Sequence, residues 1–237
     1  MYSLKSEFNW SLIEYELFNI DIEIHSLEAM INSVDDLINN EERELENQKQ
    51  EFQKEHQDWD PQLYSNYESQ AFSIHDTLNW NVSKNLRNSI VLILYSYFEG
   101  KLRKICKIIE NEFRFKIKLE DLNRSDNLSL YLIYLSKVYS LDLTGEIEKY
   151  LTLIKQQRII RNIIAHQESS FNVNQKDKIQ KAIGLKKYEN TDGSGFINIT
   201  NKDYNLFLLN NIKGCLKNLS VLVDKQYIKK KTEDNRR

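Results

Sequence analysis

Ser89 to Phe113 reads SIVLILYSYFEGKLRKICKIIENEF, and this stretch decides the fold class. It is dense in apolar residues and free of proline, and it reads as the core of one long helix. Ser83 is placed to cap that helix, which is expected to run to about Phe115. Its longest apolar run, Ile90 to Phe98, already contains Ser96 and is about half of the ~20 residues that a bilayer crossing needs. The same economy of turn residues holds throughout the chain. Only 6 Gly and 1 Pro occur in 237 residues, too few for a β-sandwich or a doubly wound sheet, so long helices with few breaks are expected. With 41% hydrophobic and 11% aromatic residues, the chain can bury a core and belongs with globular proteins.

Towards the N-terminus, apolar residues recur at helical spacing from Phe8 to Ile38 (Leu12, Ile13, Leu17, Ile20, Ile24, Leu27, Ile31, Val34, Leu37, Ile38). The polar run from Asn39 to Gln57 reads as a solvated continuation of that helix. Trp59 to Trp80, which holds the proline, Pro61, reads as an irregular connection with one short helix. Towards the C-terminus, a helix is expected over Leu128–Tyr139, with Leu130, Leu132, Ile133, Leu135 and Val138 facing inward. Asp142 or Thr144 then starts a helix that runs to His166, and a short helix is expected around Lys176–Ile183. Residues 185–200 form a small β-hairpin about the turn signal TDGSG. A last helix from Asn201 to about Ile228 is apolar at Tyr204, Leu208, Ile212, Cys215, Leu219 and Leu222, and it ends in a basic tail. The expected architecture is an all-α bundle forming a single domain over 1–237. Within it, 1–58 is a long acidic N-terminal helix, 84–170 a motif-bearing core and 201–229 a C-terminal helix, with the hairpin inserted.

The net charge of −2 conceals an asymmetry: residues 1–60 hold 16 acidic and 4 basic side chains, and residues 61–237 hold 29 basic and 19 acidic. A body of net +10 suits an anionic partner, and a segment of net −12 suits a shield or a docking element. The run Lys101, Arg103, Lys104, Lys107, Arg114, Lys116, Lys118 could track a nucleic-acid backbone or form a solvated helix flank. The first residues, MYSLKSEFNW, lack a basic region followed by an apolar one, so no secretory signal is expected and the location is read as cytoplasmic. Cys106 and Cys215 lie inside apolar helical patterns without metal-ligand spacing and read as reduced, buried thiols. His25, His56 and His75 show no ligand spacing either, so no metal and no cofactor is expected. Trp10, Trp59 and Trp80 read as packing anchors.

The chemistry concentrates in RIIRNIIAH, Arg158 to His166. At about 100° per residue, Ile159, Ile160, Ile163 and Ile164 fill an arc of roughly 140° that is expected to be buried. Arg161 lies at one edge of the remaining polar arc and His166 near the other, with Arg158, Asn162 and Ala165 between them. The small Ala165 leaves a notch for an anionic group. A guanidinium offers a planar fork of donors to phosphate oxygens. An imidazole titrates near neutral pH, so it can take a proton from a ribose 2′-hydroxyl or give one to a leaving oxygen. Those two roles suffice for metal-free RNA cleavage by attack of the 2′-oxygen on the adjacent phosphorus, a route that DNA lacks. An R-x4-H spacing taken alone is equally the polar side of an ordinary helix.

RNIIAH at 161–166 resembles the R-N-x-x-x-H signature of the HEPN superfamily, and IVLILYSYFEGKLRKI at 90–105 resembles the long second helix of the larger stand-alone bacterial HEPN families. In those families an aromatic residue is followed by a glutamate, here Phe98 and Glu99. The resemblance, spanning roughly residues 84–170, implies a HEPN-type helical bundle and a metal-independent ribonuclease of toxin–antitoxin or other antiphage defence systems. It implies a homodimer in which two R-x4–6-H motifs build a composite active site. RNA is the implied substrate, and an antitoxin or other defence-system protein the implied partner. Carried over to this chain, Arg161 would hold the phosphate, His166 would be the general acid or base, and Asn162 would orient one of them. Glu99, four residues before Arg103, matches the acidic-x3-basic pair that some members add. Its other reading is an i,i+4 surface ion pair. Arg158, Lys101, Arg103 and Lys104 would meet RNA. One subgroup carries a modifiable Tyr two residues after the His, where this chain has Glu168, so control by a nucleotide-transferring partner does not carry over. Two other readings compete with the enzyme: a non-catalytic HEPN module that binds RNA, a nucleotide or a partner protein as an accessory subunit, and a helical interaction scaffold.

Overall fold

The computed structural model describes residues 12–123, 126–179 and 182–234, so Trp10, Arg236 and Arg237 lie outside the described residues. Helix α1 spans Leu12–Glu55 and α2 spans Pro61–Phe113. Short α3, Asn127–Ile133, runs directly into a π-helical turn over Tyr134–Val138, and α4 spans Glu146–Gln167. Strands β1 (Ser170–Phe171), β2 (Leu185–Glu189) and β3 (Gly195–Ile199) follow, then α5, Asp203–Asp234. The fold is thus mainly helical, with a three-stranded antiparallel sheet in the order β1-β3-β2. The hairpin is present as expected. The strand that sequence reading missed is β1, which has only two residues and so carries no alternating pattern.

Two expectations about α2 need correction. From Pro61 onward the Trp59–Trp80 segment is continuous helix, and Ser83 lies in mid-helix, its hydroxyl 3.3 Å from Asn79 Oδ1. The helix starts at Pro61, where a missing N–H costs nothing, because the first-turn amides have no helical acceptor. Asp60 caps it by accepting from the amides of Gln62 and Leu63 at 3.0 and 3.2 Å. Farther on, α4 begins later than expected. Asp142 takes the Thr144 amide and hydroxyl in a turn, and Gly145, at φ +80°, supplies the positive φ just before the helix. The expected helix at 176–183 is a single 3-10 turn, Lys176–Lys178.

Buried residues of α1, α2, α3, α4, β3 and α5 join in one cluster centred on Val91, Leu94, Phe98, Leu102, Ile154, Ile160 and Leu208. Of the inward face expected around α3, Leu132 and Leu135 are buried, whereas Leu130, Ile133 and Val138 are half-buried beside buried Leu128, Tyr131 and Tyr134. Both thiols are free and buried. Burial pushes the Cys215 thiol up to about 12, which leaves it protonated and unreactive. Among the described residues no helix is long and apolar enough to cross a membrane.

The charge asymmetry is met in part inside the molecule. Lys101 is buried on the α1 side of α2, with Nζ 2.5 Å from both Glu16 and Glu23, and Lys104 also pairs with Glu16. Asp35 of α1 meets Arg87 at 3.5 Å, and Asp21 meets Lys217 of α5 at 3.2 Å. The acidic helix therefore neutralises Lys101 and Lys104 of the basic run that the sequence offered as a nucleic-acid track.

Candidate functional site

On α4, Ile160 and Ile163 are fully buried and Ile159 and Ile164 half-buried, so the four isoleucines face inward as their spacing requires. Two buried tyrosines fix the helix against its neighbours. Tyr95 of α2 donates to the carbonyl of Ile154 at 2.6 Å, and Tyr204 of α5 donates to Gln157 Oε1 at 3.1 Å. Burial raises the Tyr95 hydroxyl well above its ordinary pKa, and the charges of Arg158, Arg161 and Glu99 all bear on it. These three side chains, drawn from two helices, thus all act on the Tyr95 hydroxyl.

Arg158 and Glu99 are further joined through the start of α3. Arg158 is 3.2 Å from Asp126, and the next residue, Asn127, donates to Glu99 at 3.3 Å. Asp126 also caps α3 through the Ser129 amide at 2.8 Å. Burial raises the Asp126 carboxyl, but the Ser129 hydrogen bonds and Arg158 outweigh it and hold the pKa below its ordinary value. Arg103 is exposed and makes no ion pair with Glu99 or with any other described residue. The i,i+4 surface pair is therefore not formed.

Arg161 is half-buried. Its Nη1 donates to Asn162 Oδ1 at 3.1 Å, while its Nε is buried and lacks an acceptor among the described residues. No described carboxylate compensates its charge. Five residues on, His166 is exposed in the last turn of α4 and enters no hydrogen bond or ion pair among the described residues. Five helical residues separate the two positions by about 7.5 Å along the axis and about 140° around it. Exposed Ala165 lies between them.

The turn after His166 is unusually constrained. Glu168 and Ser169 both have left-handed backbone, at φ +50° and +69°, although neither is glycine. The amides of both residues bond to the Ile163 carbonyl. Ser169 is buried, its hydroxyl accepts from Asn88 of α2 at 2.9 Å, and its carbonyl accepts from the Ile197 amide of β3 at 2.8 Å. Lys84 of α2 reaches the Glu168 carbonyl at 3.4 Å. The sheet is thus a buttress for the histidine turn.

Of the expected site residues, the fold links Arg158 to Glu99 through Asp126 and Asn127, pairs Arg161 with Asn162, and leaves His166 at the end of the same helix. Lys101 and Lys104 stand apart, paired with α1. Sequence reading missed Tyr95, Asn88, Asp126, Asn127 and Ser169. Tyr95, Asn88, Asp126 and Asn127 are distant in sequence from the motif, Ser169 follows His166 by three residues, and none carries a local signature. Among the described residues no group of three His, Cys, Asp or Glu side chains is arranged to hold a metal ion. In comparisons with known proteins, no family model, no curated protein and no solved structure matches the chain.

Proposed function

We propose that this protein is a metal-independent endoribonuclease of the HEPN type, acting as a toxin or antiphage effector through Arg161 and His166. The observation that carries the reading is an uncompensated, half-buried guanidinium with an unpartnered Nε on the same helix as an uncommitted histidine. A buried donor without an acceptor is costly, about 1–3 kcal/mol. A phosphate oxygen would supply the missing acceptor after a small rotation of the side chain. His166 takes the proton from the 2′-hydroxyl or delivers one to the departing 5′-oxygen as the 2′-oxygen bonds to phosphorus. Asn162 holds the guanidinium, and Glu99 with Arg158 sets the charge behind it. A composite site built by two copies follows from the resemblance and belongs to the same proposal.

The test is cleavage of total RNA and of a single-stranded oligonucleotide by the purified full chain in EDTA. Cleavage is expected to survive chelation. His166→Ala should lower it by about 10²–10⁴-fold and Arg161→Ala by about 10²–10³-fold. RNA binding without cleavage would instead support the accessory-module reading. Neither binding nor cleavage would leave a helical scaffold.

A further inference from the structure

Beyond the main core, α1 and α2 continue side by side as a two-helix arm, in which Ile38 and Phe72 are buried outside the core cluster. Phe52 closes the arm against Trp59, Tyr64 and Phe72, and Lys49 pairs with Asp76 at 2.7 Å. The two helices differ sharply in composition. Residues 39–55 of α1 include nine charged side chains, whereas residues 61–82 of α2 include only Glu68 and Asp76. A solvated helix ordinarily carries charge, and depletion of charge with retained aromatic and aliphatic residues is the composition of an interface core.

Leu63, Tyr67, Ala71, Ile74, Leu78 and Val82 form one stripe along this half of α2, and all six are exposed, the five larger ones at 46–67%. Their spacing is 4, 4, 3, 4, 4, which reads the same in both directions. Two such helices laid antiparallel about a point between Phe72 and Ser73 would pair Leu63 with Val82, Tyr67 with Leu78 and Ala71 with Ile74. That is the self-complementarity a two-fold interface requires. The small Ala71 near the axis allows close approach, and the flanking Asn66, Gln70, Ser73 and Thr77 bring no like charges together. At the Val82 end, a cavity of about 440 Å³ opens between α1 and α2, lined in part by Leu37, Leu45, Leu78, Val82 and Leu86. It lies where the Leu63 end of the opposing helix would arrive.

We propose that this stripe is the contact with a second copy of the chain, antiparallel and two-fold symmetric. The contact uses none of the α4 side chains and is independent of the ribonuclease reading. Sedimentation velocity of the full chain at micromolar concentration is expected to show self-association through this contact, in addition to any pairing of two copies at α4. Ile74→Glu should weaken that association at least tenfold while leaving the helical circular dichroism unchanged, since Ile74 is exposed.

Register is tested with a short bifunctional thiol cross-linker, to which the buried Cys106 and Cys215 do not contribute. Leu63→Cys combined with Val82→Cys should cross-link two chains. Leu63→Cys alone should not, because antiparallel packing separates the two copies of residue 63 by roughly 28 Å. A monomer at every concentration, self-association unchanged by Ile74→Glu, or cross-linking by Leu63→Cys alone would each overturn the proposal. So would a stripe that associates only with a different protein.

Discussion

Asn88 and Ser169 illustrate how much of the site depends on side chains with no chemistry of their own. Their hydrogen bond joins residues 81 apart in the chain and holds the residue that turns the backbone away after His166. Asn88→Ala leaves the buried Ser169 hydroxyl without that donor. It should cost about 1–3 kcal/mol in urea unfolding, and it should slow cleavage more than it weakens RNA binding. Glu168 tests the opposite effect. Its side chain is exposed and its backbone left-handed, a conformation that costs a non-glycine residue about 1–2 kcal/mol. Glu168→Gly should therefore raise stability, by up to about 1 kcal/mol after the extra chain entropy of glycine is deducted. An unchanged or lower melting temperature would count against strain at this turn. The motif itself was legible in the sequence because Arg161, Asn162 and His166 share one helix, whose periodicity is local. Asn88, Ser169 and Asn127 were not, because their roles come from tertiary contacts.

At the level of elements, the reading was best where apolar spacing and turn chemistry agreed, as in the 185–200 hairpin and α5. It failed at Pro61, taken as a break although it starts a helix. The six-residue apolar stripe that follows was visible at helical spacing all along. Lys101 misled for another reason, since a lysine in a basic run looks the same whether it faces solvent or a buried Glu16 and a half-buried Glu23. The hairpin carries a sharp expectation of its own. A Cβ at Gly195 would fall 1.9 Å from the Tyr188 carbonyl oxygen and 2.7 Å from the Phe171 ring. Gly195→Ala should cost about 1–3 kcal/mol by overpacking. It should also loosen β1 from β3, visible as faster amide exchange at Ile197, whose N–H holds the Ser169 carbonyl.

Across the whole molecule, the acidic N-terminal helix and the basic body are held together by ion pairs whose strength depends on pH. Burial raises the Glu16 carboxyl, but hydrogen bonds and charge from Lys101 and Lys104 outweigh it and hold its pKa below the ordinary value. The Glu110 carboxyl is likewise lowered on balance. Burial raises it, and the Leu119 amide and Lys107 more than offset that. A carboxylate whose folded pKa lies below its unfolded one contributes stability above the unfolded value, about 4.3. That contribution is lost as pH falls through the folded value. Stability should therefore hold at neutral pH and fall away below about pH 4.3, and Glu16→Gln should flatten the acid limb of the profile. The same variant leaves buried Lys101 with Glu23 alone and should cost up to about 3 kcal/mol at neutral pH. Chemical denaturation between pH 3 and 8 would measure both effects.

The tie between Ile197 and Ser169 also sets an order in time. Synthesis proceeds from the N-terminus at about 5–20 residues per second. Helices α1 to α4, with the whole RNIIAH segment, are therefore made before residue 195 leaves the ribosome. A nascent chain at that stage holds Arg161 and His166 but lacks the strand that fixes the turn beyond them. Stalled chains ending at Ser194 should be inert towards RNA, and chains extended through α5 should not. Activity in the shorter chains would show that the turn after His166 needs no buttress. If they are silent, the proposed activity waits until the sheet and α5 have both been made.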